Sequence, residues 1–229
     1  MVNDNNYFLA IDFDGTVSKF DVIDSILNQF AKEEWFIVEG LWQNGIIGSR
    51  ECLARQLSLV EASMETLLNF VDKVPIDEYF YSFVQYIHKN DIPCAVISDG
   101  FIQLIKRILA KNDISNLKIY ASKLFKKNGQ FQVSFTNMTK DCSAGTCKCM
   151  VAKKLAKGLP IILIGDGRSD FCLADKADYV LAKGGLATYC EKHRIPFTAI
   201  NNFNDAIKCL QTCDIHYYTS LCKDHSQDE

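Results

Sequence analysis

The chain has 229 residues, of which 48% are hydrophobic and 23% charged, and its net charge at neutral pH is −3. These values are those of an ordinary globular protein, large enough for one domain or for a core with an insertion, and they give no support to a nucleic-acid-binding surface. No apolar stretch has the length of a membrane span and the first residues lack the pattern of a signal peptide, so we expect a cytoplasmic protein without a membrane partner.

The first predicted element is a buried strand that ends in two carboxylates. The apolar run at residues 7–11 leads into Asp12-Phe13-Asp14-Gly15-Thr16, and such a run bounded by glycine is typical of a parallel sheet. Because side chains alternate along a strand, Asp12 and Asp14 should share a face at its carboxyl end. An acidic turn is the simplest alternative interpretation of this pattern.

Paired carboxylates at a strand end are suited to phosphoryl chemistry. They repel each other unless a cation neutralises them, and Mg²⁺ takes oxygen ligands. One carboxylate can then attack phosphorus while the other moves protons. Gly15 would let the backbone approach a phosphate, and Thr16 would offer a hydroxyl and an N–H group.

Residues 17–74 follow without any strand signal. Their apolar residues recur at helical spacing, which predicts a helical bundle inserted directly after the first strand. The stretch from residue 17 to residue 78 holds 11 acidic and 5 basic residues, so the insertion is acidic relative to the rest of the chain.

From residue 75 onward, predicted strands alternate with predicted helices, which implies a parallel sheet with right-handed crossovers. An Asn128-Gly129 turn between alternating apolar residues predicts a β-hairpin inside this region. The predicted strands lie at residues 92–98, 117–121, 160–164, 179–181 and 197–200.

The sequence therefore predicts an α/β fold: a doubly wound parallel sheet with an inserted helical cap and a β-hairpin. The core would comprise residues 1–16 and 75–211, and the cap residues 17–74. Residues 212–229 are polar, and we interpret them as a flexible tail in preference to a docking strand that uses Tyr217 and Tyr218.

Two more predicted strands end in small or acidic residues, and the carboxyl ends of parallel strands form the ligand site of open α/β sheets. Ser98-Asp99-Gly100 would supply a hydroxyl and backbone N–H groups to phosphate oxygens. After the strand at residues 160–164, Asp166 would be a metal ligand, and Asp170 a ligand or a residue that orients one.

Phosphoryl transfer also needs positive charge beyond that of one metal ion. Lys148, at the start of a predicted helix, is the candidate. Cys142, Cys147 and Cys149 flank this lysine, but a structural zinc site usually has four ligands and no fourth is evident nearby, so reduced thiols that pack the loop are the preferred interpretation.

The motifs in this order resemble the signature of the haloacid dehalogenase-like (HAD) phosphatases, with a Rossmann-like core, over about residues 7–211. The resemblance implies Asp12 as nucleophile and Asp14 as general acid/base, with Ser98 and Lys148 holding phosphate. It also implies Mg²⁺ held by Asp12, the Asp14 carbonyl and Asp166.

A helical insertion after the first motif looks like the cap of the phosphoserine phosphatase-like branch. Within it, Ser98-Asp99-Gly100-Phe101 and the cysteine-flanked Lys148 are most similar to two types of enzyme, the 2-hydroxy-3-keto-5-methylthiopentenyl-1-phosphate phosphatases and the phosphoethanolamine/phosphocholine phosphatases. Asp99 stands where phosphoserine phosphatases have glycine, and Arg168 and Ser169 replace a small residue and Asn, which makes phosphoserine a doubtful substrate.

The leading hypothesis is therefore a Mg²⁺-dependent phosphomonoesterase that forms an aspartyl phosphate. A phosphotransferase or phosphomutase would use the same residues, and the sequence does not separate these activities. A dehalogenase has no need of Asp14. A binding module that has lost catalysis is a further alternative, although every motif residue is present.

The cap should contact the leaving group. Phe20, Asp21, Arg50 and Arg55 are the candidate substrate residues, although the cap aromatics are also expected to form its core. The acidic cap favours small monoesters over nucleotides and bisphosphates. A cationic amine would suit aromatic and acidic groups, whereas an arginine would suit a hydroxyketone. The predicted partner is a small phosphorylated metabolite; a monomer and a homodimer are both compatible.

Overall fold

The computed structural model describes residues 6–212. The first strand, β1 (Phe8–Ile11), is followed by four consecutive helices, which are α1 (Val22–Phe30), α2 (Trp35–Gln43), α3 (Ser49–Ser58) and α4 (Met64–Val71). The predicted tail lies, apart from Thr212, outside the described residues.

Strands and helices alternate in the rest of the chain, with a 3-10 turn at Arg168–Asp170. The helices are α5 (Phe80–Lys89), α6 (Ile102–Lys111), α7 (Lys148–Ala156), α8 (Phe171–Ala174), α9 (Gly184–His193) and α10 (Phe203–Gln211). The strands are β2 (Cys94–Phe101), β3 (Ile119–Lys127), β4 (Gln130–Ser134), β5 (Ile161–Gly165), β6 (Tyr179–Ala182) and β7 (Phe197–Ala199). None of the helices within residues 6–212 is both long and apolar enough to cross a lipid bilayer.

All seven strands form one sheet in the order β4-β3-β2-β1-β5-β6-β7, with β1 at its centre. Every pairing is parallel except that of β3 with β4. Phe8 and Ala10 pack into the core beneath α7, α8 and α9, whereas Leu9 and Ile11 pack on the opposite face with α5, α6 and α10. Because alternate residues of β1 are buried on both faces, its sequence is a continuous apolar run, and the predicted doubly wound sheet is confirmed.

The predicted hairpin is present but is part of the main sheet. The sequence predicts a short strand at residues 117–121 and a separate hairpin, whereas β3 is one strand that pairs with β2 at its start and with β4 at its end. Asn128 and Gly129 both have positive φ angles, of 53° and 82°, as a two-residue hairpin turn requires.

The two chain segments that connect the helical insertion to the core lie side by side. Ser18 and Ile76 form an antiparallel bridge, the Lys19 amide donates to the Pro75 carbonyl at 3.0 Å, and the Asp77 amide donates to the Val17 carbonyl at 2.8 Å. The insertion therefore joins the core through a short two-stranded ribbon.

The insertion packs against the core through α3, which contacts β4, and α4, which contacts α6. The expectation that the cap aromatics form its core holds only in part. Trp35 is 5% exposed, but Phe36 is 57% and Phe20 43% exposed. Phe36 lies on the solvent-facing side of α2, and Phe20 lies before α1. The boundaries at residues 16/17 and 74/75 stay a prediction.

Candidate active site

The motif residues meet at the carboxyl edge of the sheet. Asp12 follows β1, and β2 and β5, the two neighbours of β1, carry Ser98 and lead into Asp166. A cavity of about 220 Å³ opens there. The core side of its lining includes Asp12, Asp14, Asp99, Gly100, Asp166, Gly167, Arg168 and Ser169.

Lys148 is the centre of a buried ion network. Its Nζ lies 2.6 Å from Asp12 Oδ1 and 2.6 Å from Asp170 Oδ1, and it donates to Ser169 Oγ at 3.0 Å. Burial alone would lower the pKa of Lys148, but Asp12 and Asp170 outweigh this effect and raise it. The lysine is therefore held as a cation against Asp12.

Asp166 is oriented by the loop after β1. Thr16 Oγ1 donates to Asp166 Oδ1 at 3.0 Å. Gly15 has a φ of +73°, and a Cβ there would lie 2.3 Å from Asp166 Oδ2, so the position requires glycine. The Thr16 side chain is fully buried and its hydroxyl donates to Asp166. The hydroxyl therefore does not face the cavity, as a phosphate donor would.

Asp170 is fully buried and hydrogen-bonded through both oxygens. Its Oδ1 accepts from Lys148, and its Oδ2 accepts from the backbone amides of Asp166, at 3.1 Å, and Gly167, at 3.3 Å. Of the two predicted roles, ligand or orienting residue, these contacts favour the orienting one.

Asp14 connects the first motif to β2. Its Oδ1 accepts from the Val22 amide at 3.0 Å and its Oδ2 from Ser98 Oγ at 3.1 Å. Burial, followed by the charge of Asp21, raises the pKa of Asp14 to about 7. Ser98 Oγ also accepts from the Gly100 amide at 2.8 Å, so the hydroxyl and the carboxylate are fixed relative to each other.

Asp99 was predicted to bind phosphate, but its carboxylate has another partner. Its Oδ1 accepts from the Thr146 backbone amide at 2.8 Å, in the loop that precedes Lys148, and burial raises its pKa. The sequence predicts that the strand ends at Ser98, whereas β2 continues to Phe101. Residues 98–100 interrupt the regular pairing of β2 with β3 between Ile97 and Phe101, which explains the difference.

The buried carboxylates fit a divalent cation. Within residues 6–212, the group of possible ligand atoms that lie within 4.8 Å of one another comes from Asp12, Asp166 and Asp170. Burial, followed by the charge of Asp170, raises the pKa of both Asp12 and Asp166. Three carboxylates and one ammonium, Lys148, leave two negative charges unbalanced, and oxygen donors match a hard ion such as Mg²⁺.

The insertion contributes an acidic roof to the cavity. Its lining residues are Asp21, Ile23, Asp24, Glu39, Trp42, Ser49, Cys52, Leu53 and Gln56. Asp21 caps α1 by accepting from the Ile23 and Asp24 amides. Partial desolvation, and next the charges of Asp21 and Glu39, raise the pKa of Asp24 to about 7.

Arg168 joins the core to the roof. Its guanidinium carbon lies 4.8 Å from the centre of the Trp42 ring, and Nη1 donates to the Gln43 carbonyl at 3.3 Å. The sequence marked Arg168 as a departure from the family pattern but gave it no role. Glu39 and Gln56, whose side chains hydrogen-bond at 2.9 Å, carried no signal that would have distinguished them from a solvated helix face.

Three of the four predicted substrate residues do not line the cavity. Phe20 is largely exposed, Arg55 pairs with Glu51 on the outer surface of α3 at 2.5 Å, and Arg50 donates to the Cys142 carbonyl and to Met138 Sδ. Asp21 alone lies where it was predicted. The two arginines point away in different directions: Arg50 packs toward residues 138–143, and Arg55 lies on the solvent side of α3.

Comparisons with known proteins identify the family of the chain. Residues 7–196 match the family model described as Putative Phosphatase. A 2-hydroxy-3-keto-5-methylthiopentenyl-1-phosphate phosphatase of Lysinibacillus sphaericus is 30% identical over 210 residues, covering 87% of this chain and 92% of its own. The enzyme of the same name from Brevibacillus brevis is 28% identical over 209 residues, covering 89% and 94%.

Solved structures agree on the fold. A phospho-aspartyl intermediate analogue of phosphoserine phosphatase has a TM-score of 0.67 at 19% identity and covers 88% of this chain and 97% of its own. The sequence resemblance to HAD-like phosphatases is thereby confirmed. The chain belongs to the Putative Phosphatase family and is a phosphomonoesterase with the HAD-like fold.

Proposed function

We propose that the protein hydrolyses a small phosphomonoester, with Mg²⁺, through an aspartyl phosphate on Asp12. The observation that carries this proposal is the position of Asp12: a buried carboxylate at the floor of the cavity, 2.6 Å from the Lys148 ammonium. A carboxylate that is fixed by a cation and faces a small cavity is poised to attack phosphorus.

Asp14 is the general acid and base of the proposal. It faces the same cavity, and its carboxyl group is held by the Val22 amide and the Ser98 hydroxyl. With a pKa raised to about 7, it can protonate the leaving alcohol and afterwards take a proton from the water that attacks the aspartyl phosphate.

Asp12 and Asp166, with the Asp14 carbonyl, are the proposed Mg²⁺ ligands, and Asp170 orients Asp166 and Lys148. The bound ion would neutralise the carboxylates and the phosphate charge. Lys148 and the Ser98 hydroxyl are the proposed phosphate donors. Lys148 already donates to Asp12 in the cavity and has further ammonium hydrogens, whereas the single Ser98 hydroxyl hydrogen, which donates to Asp14 in this structure, would have to turn to the phosphate. A Cβ at Gly15 would meet Asp166 and one at Gly100 would meet Asp14, so both glycines would let the backbone lie close to a phosphate bound beside these carboxylates.

The acidic side chains of the roof favour a substrate with a cationic leaving group. Asp21, Asp24 and Glu39 face the cavity together with the Trp42 ring, whereas Arg50 and Arg55, which would have suited a hydroxyketone, are directed elsewhere. We therefore expect phosphorylated amino alcohols to be better substrates than 2-hydroxy-3-keto-5-methylthiopentenyl-1-phosphate, the compound after which the Lysinibacillus relative is named. Both should be better substrates than nucleotides and bisphosphates.

A panel of small phosphomonoesters, assayed for free phosphate with purified protein, tests this function. Activity should require Mg²⁺, stop with EDTA, and recover poorly with Ca²⁺, whose coordination is larger and looser. An added acceptor alcohol should not divert the phosphoryl group; efficient transfer would indicate a phosphotransferase. Full activity after rigorous chelation would exclude the proposed metal role, and a nucleotide preferred tenfold over every small monoester would exclude the proposed substrate class.

A further inference from the structure

Behind the buried ion network, two cysteines lie on the elements that carry it. Cys149 follows Lys148 in the first turn of α7, and Cys172 lies in α8, two residues after Asp170. We propose that Cys149 and Cys172 are a modification site: an oxidisable pair that peroxide closes into a disulfide, which lowers phosphatase activity until a thiol reopens it.

The two sulfur atoms are already in contact. Cys149 Sγ lies 3.2 Å from Cys172 Sγ and 3.1 Å from the Cys172 carbonyl oxygen. A disulfide has an S–S distance of about 2.05 Å, so closure needs an approach of only about 1 Å. The sequence did not reveal this pair, because Cys172 is 23 residues from Cys149 and is brought to it by the packing of α8 against α7.

The pair is also accessible. Cys172 is exposed and Cys149 is partly buried, and neither of these two thiols is in a disulfide. Lys176 Nζ lies 3.7 Å from Cys172 Sγ, and a neighbouring cation makes a thiol more reactive. Lys176 also interacts with Cys149, so exposure distinguishes the two thiols: Cys172 is the sulfur that an oxidant would meet first, and Cys149 the one that resolves the product.

The reaction balances with hydrogen peroxide as the oxidant. The Cys172 sulfur attacks one peroxide oxygen, an S–O bond forms as the O–O bond breaks, and the departing hydroxide leaves as water with the thiol proton. Cys149 then attacks the resulting sulfenic acid; the S–S bond forms, the S–O bond breaks, and a second water leaves with the Cys149 proton. Two thiols lose two electrons and one peroxide becomes two waters.

The site explains why closure should affect activity. Lys148 and Asp170 share a 2.6 Å ion pair, and each lies within two residues of one of the two cysteines. A pull of about 1 Å between α7 and α8 would therefore act on the cation beside Asp12, and displacements of that size at a reacting centre can cost up to about 100-fold in rate.

Zinc is the other ligand that clustered cysteines can imply. The thiol of Cys142 interacts with those of Cys147 and Cys172. With Cys149, these residues make four neighbouring cysteines, and Cys172 is the fourth one that the sequence pattern did not show. However, among residues 6–212 the ligand group that lies within 4.8 Å comes from the three aspartates and includes no sulfur. A disulfide needs only the two sulfurs that are in contact.

Peptide mapping tests the pair directly. Cleavage by trypsin leaves Cys149 in residues 149–153, Cys172 in residues 169–176, and both Cys142 and Cys147 in residues 141–148. Reduced full-length protein would be treated with hydrogen peroxide, blocked with N-ethylmaleimide and digested without reductant. We expect residues 149–153 linked to residues 169–176, two hydrogens lighter than the sum of the peptides, and released by dithiothreitol.

Variants and activity complete the test. Cys172→Ser and Cys149→Ser should lose the linked peptide, whereas Cys209→Ser should keep it. Peroxide should lower wild-type activity at least about fivefold, reversibly with dithiothreitol, and leave Cys172→Ser unchanged. A disulfide within residues 141–148 only, an irreversible loss of activity shared by Cys172→Ser, or one equivalent of zinc that copurifies with wild type and is lost in Cys172→Ser would each overturn the proposal.

Discussion

The floor and the roof of the cavity are built in different ways. The floor consists of buried groups that hold one another: Lys148 is 4%, Asp12 4% and Asp170 0% exposed, and all three share short ion pairs. The roof presents Asp21 and Asp24, which are exposed, and Glu39, which accepts a hydrogen bond from Gln56 of the insertion. The floor suits a fixed chemistry, whereas the roof suits the choice of the leaving group.

The largest effect should come from the floor, with Asp12→Asn. The amide keeps the shape of the side chain but removes the proposed nucleophile, so kcat should fall at least about 1000-fold. Hydrolysis of p-nitrophenyl phosphate measures it, with circular dichroism as the control for folding. Turnover within tenfold of wild type, after deamidation has been excluded by mass, would contradict the proposed role.

Lys148→Met should lower kcat by about 100-fold, because it removes the proposed donor to the reacting phosphate. It also leaves Asp12 and Asp170 without their cation, which should cost about 3–5 kcal/mol of stability. Thermal unfolding of Lys148→Met and of the double variant with Asp170→Asn separates the two effects. The double variant should regain part of the stability and none of the activity; recovery of activity would show that Lys148 acts only as a structural ion pair.

Asp24 should give the roof a pH-dependent selectivity. With its pKa raised to about 7, the carboxyl group is neutral at pH 6 and charged at pH 8, so it attracts a cationic leaving group only at the higher pH. The ratio of kcat/KM for phosphoethanolamine to that for a neutral monoester should rise about fivefold between these values.

The titration of the floor residues affects kcat/KM for both substrates equally, so it cancels in the ratio. Asp24→Asn should flatten the profile, whereas Glu65→Gln, at the exposed start of α4, should keep it. A ratio that stays constant from pH 6 to pH 8 in the wild type would argue against a cation site in the roof.

The smallest effect is expected where floor and roof meet. Arg168→Ala removes the contact with the Trp42 ring and the Gln43 carbonyl, worth about 0.5–1 kcal/mol at an exposed position, so KM should rise two- to fivefold while kcat changes less. Arg55→Ala, which loses only the surface pair with Glu51, is the matched control. Equal effects of the two variants would show that Arg168 does not join the cap to the core.

The same division separates what could be predicted from what could not. Asp12, Asp14, Ser98 and Asp166 were predictable because each belongs to or follows a strand of apolar residues, and parallel strands bring their carboxyl ends together. Lys148 was predictable from its place in the order of motifs. Its partner Asp170 was also predicted, but the contacts that favour an orienting role over a ligand role come from two backbone amides that only the loop geometry brings to it.

The roof could not be predicted in the same way. A helical pattern shows which residues share a face but not which way that face turns, and this is decided by the packing of α3 against β4 and residues 138–143. Arg50 and Arg55 were therefore assigned to the substrate although they face away, and Glu39 and Gln56 were missed. The contact between Arg168 and Trp42 joins positions 126 residues apart, for which a single sequence gives no signal.

The two-stranded ribbon at residues 17–19 and 75–77 has a consequence for how such proteins diversify. Because the chain leaves and returns at adjacent positions, the covalent connection of the insertion to the core is that of a long loop whose ends are already closed, and its remaining contacts with the core are non-covalent. Helices can be added, removed or exchanged beyond the Ser18–Ile76 bridge without changing the spacing of Asp12 and Asp14. A family with this connection can acquire new substrates by replacing one module, and engineered chimeras that exchange residues 20–74 between relatives should use the same junction.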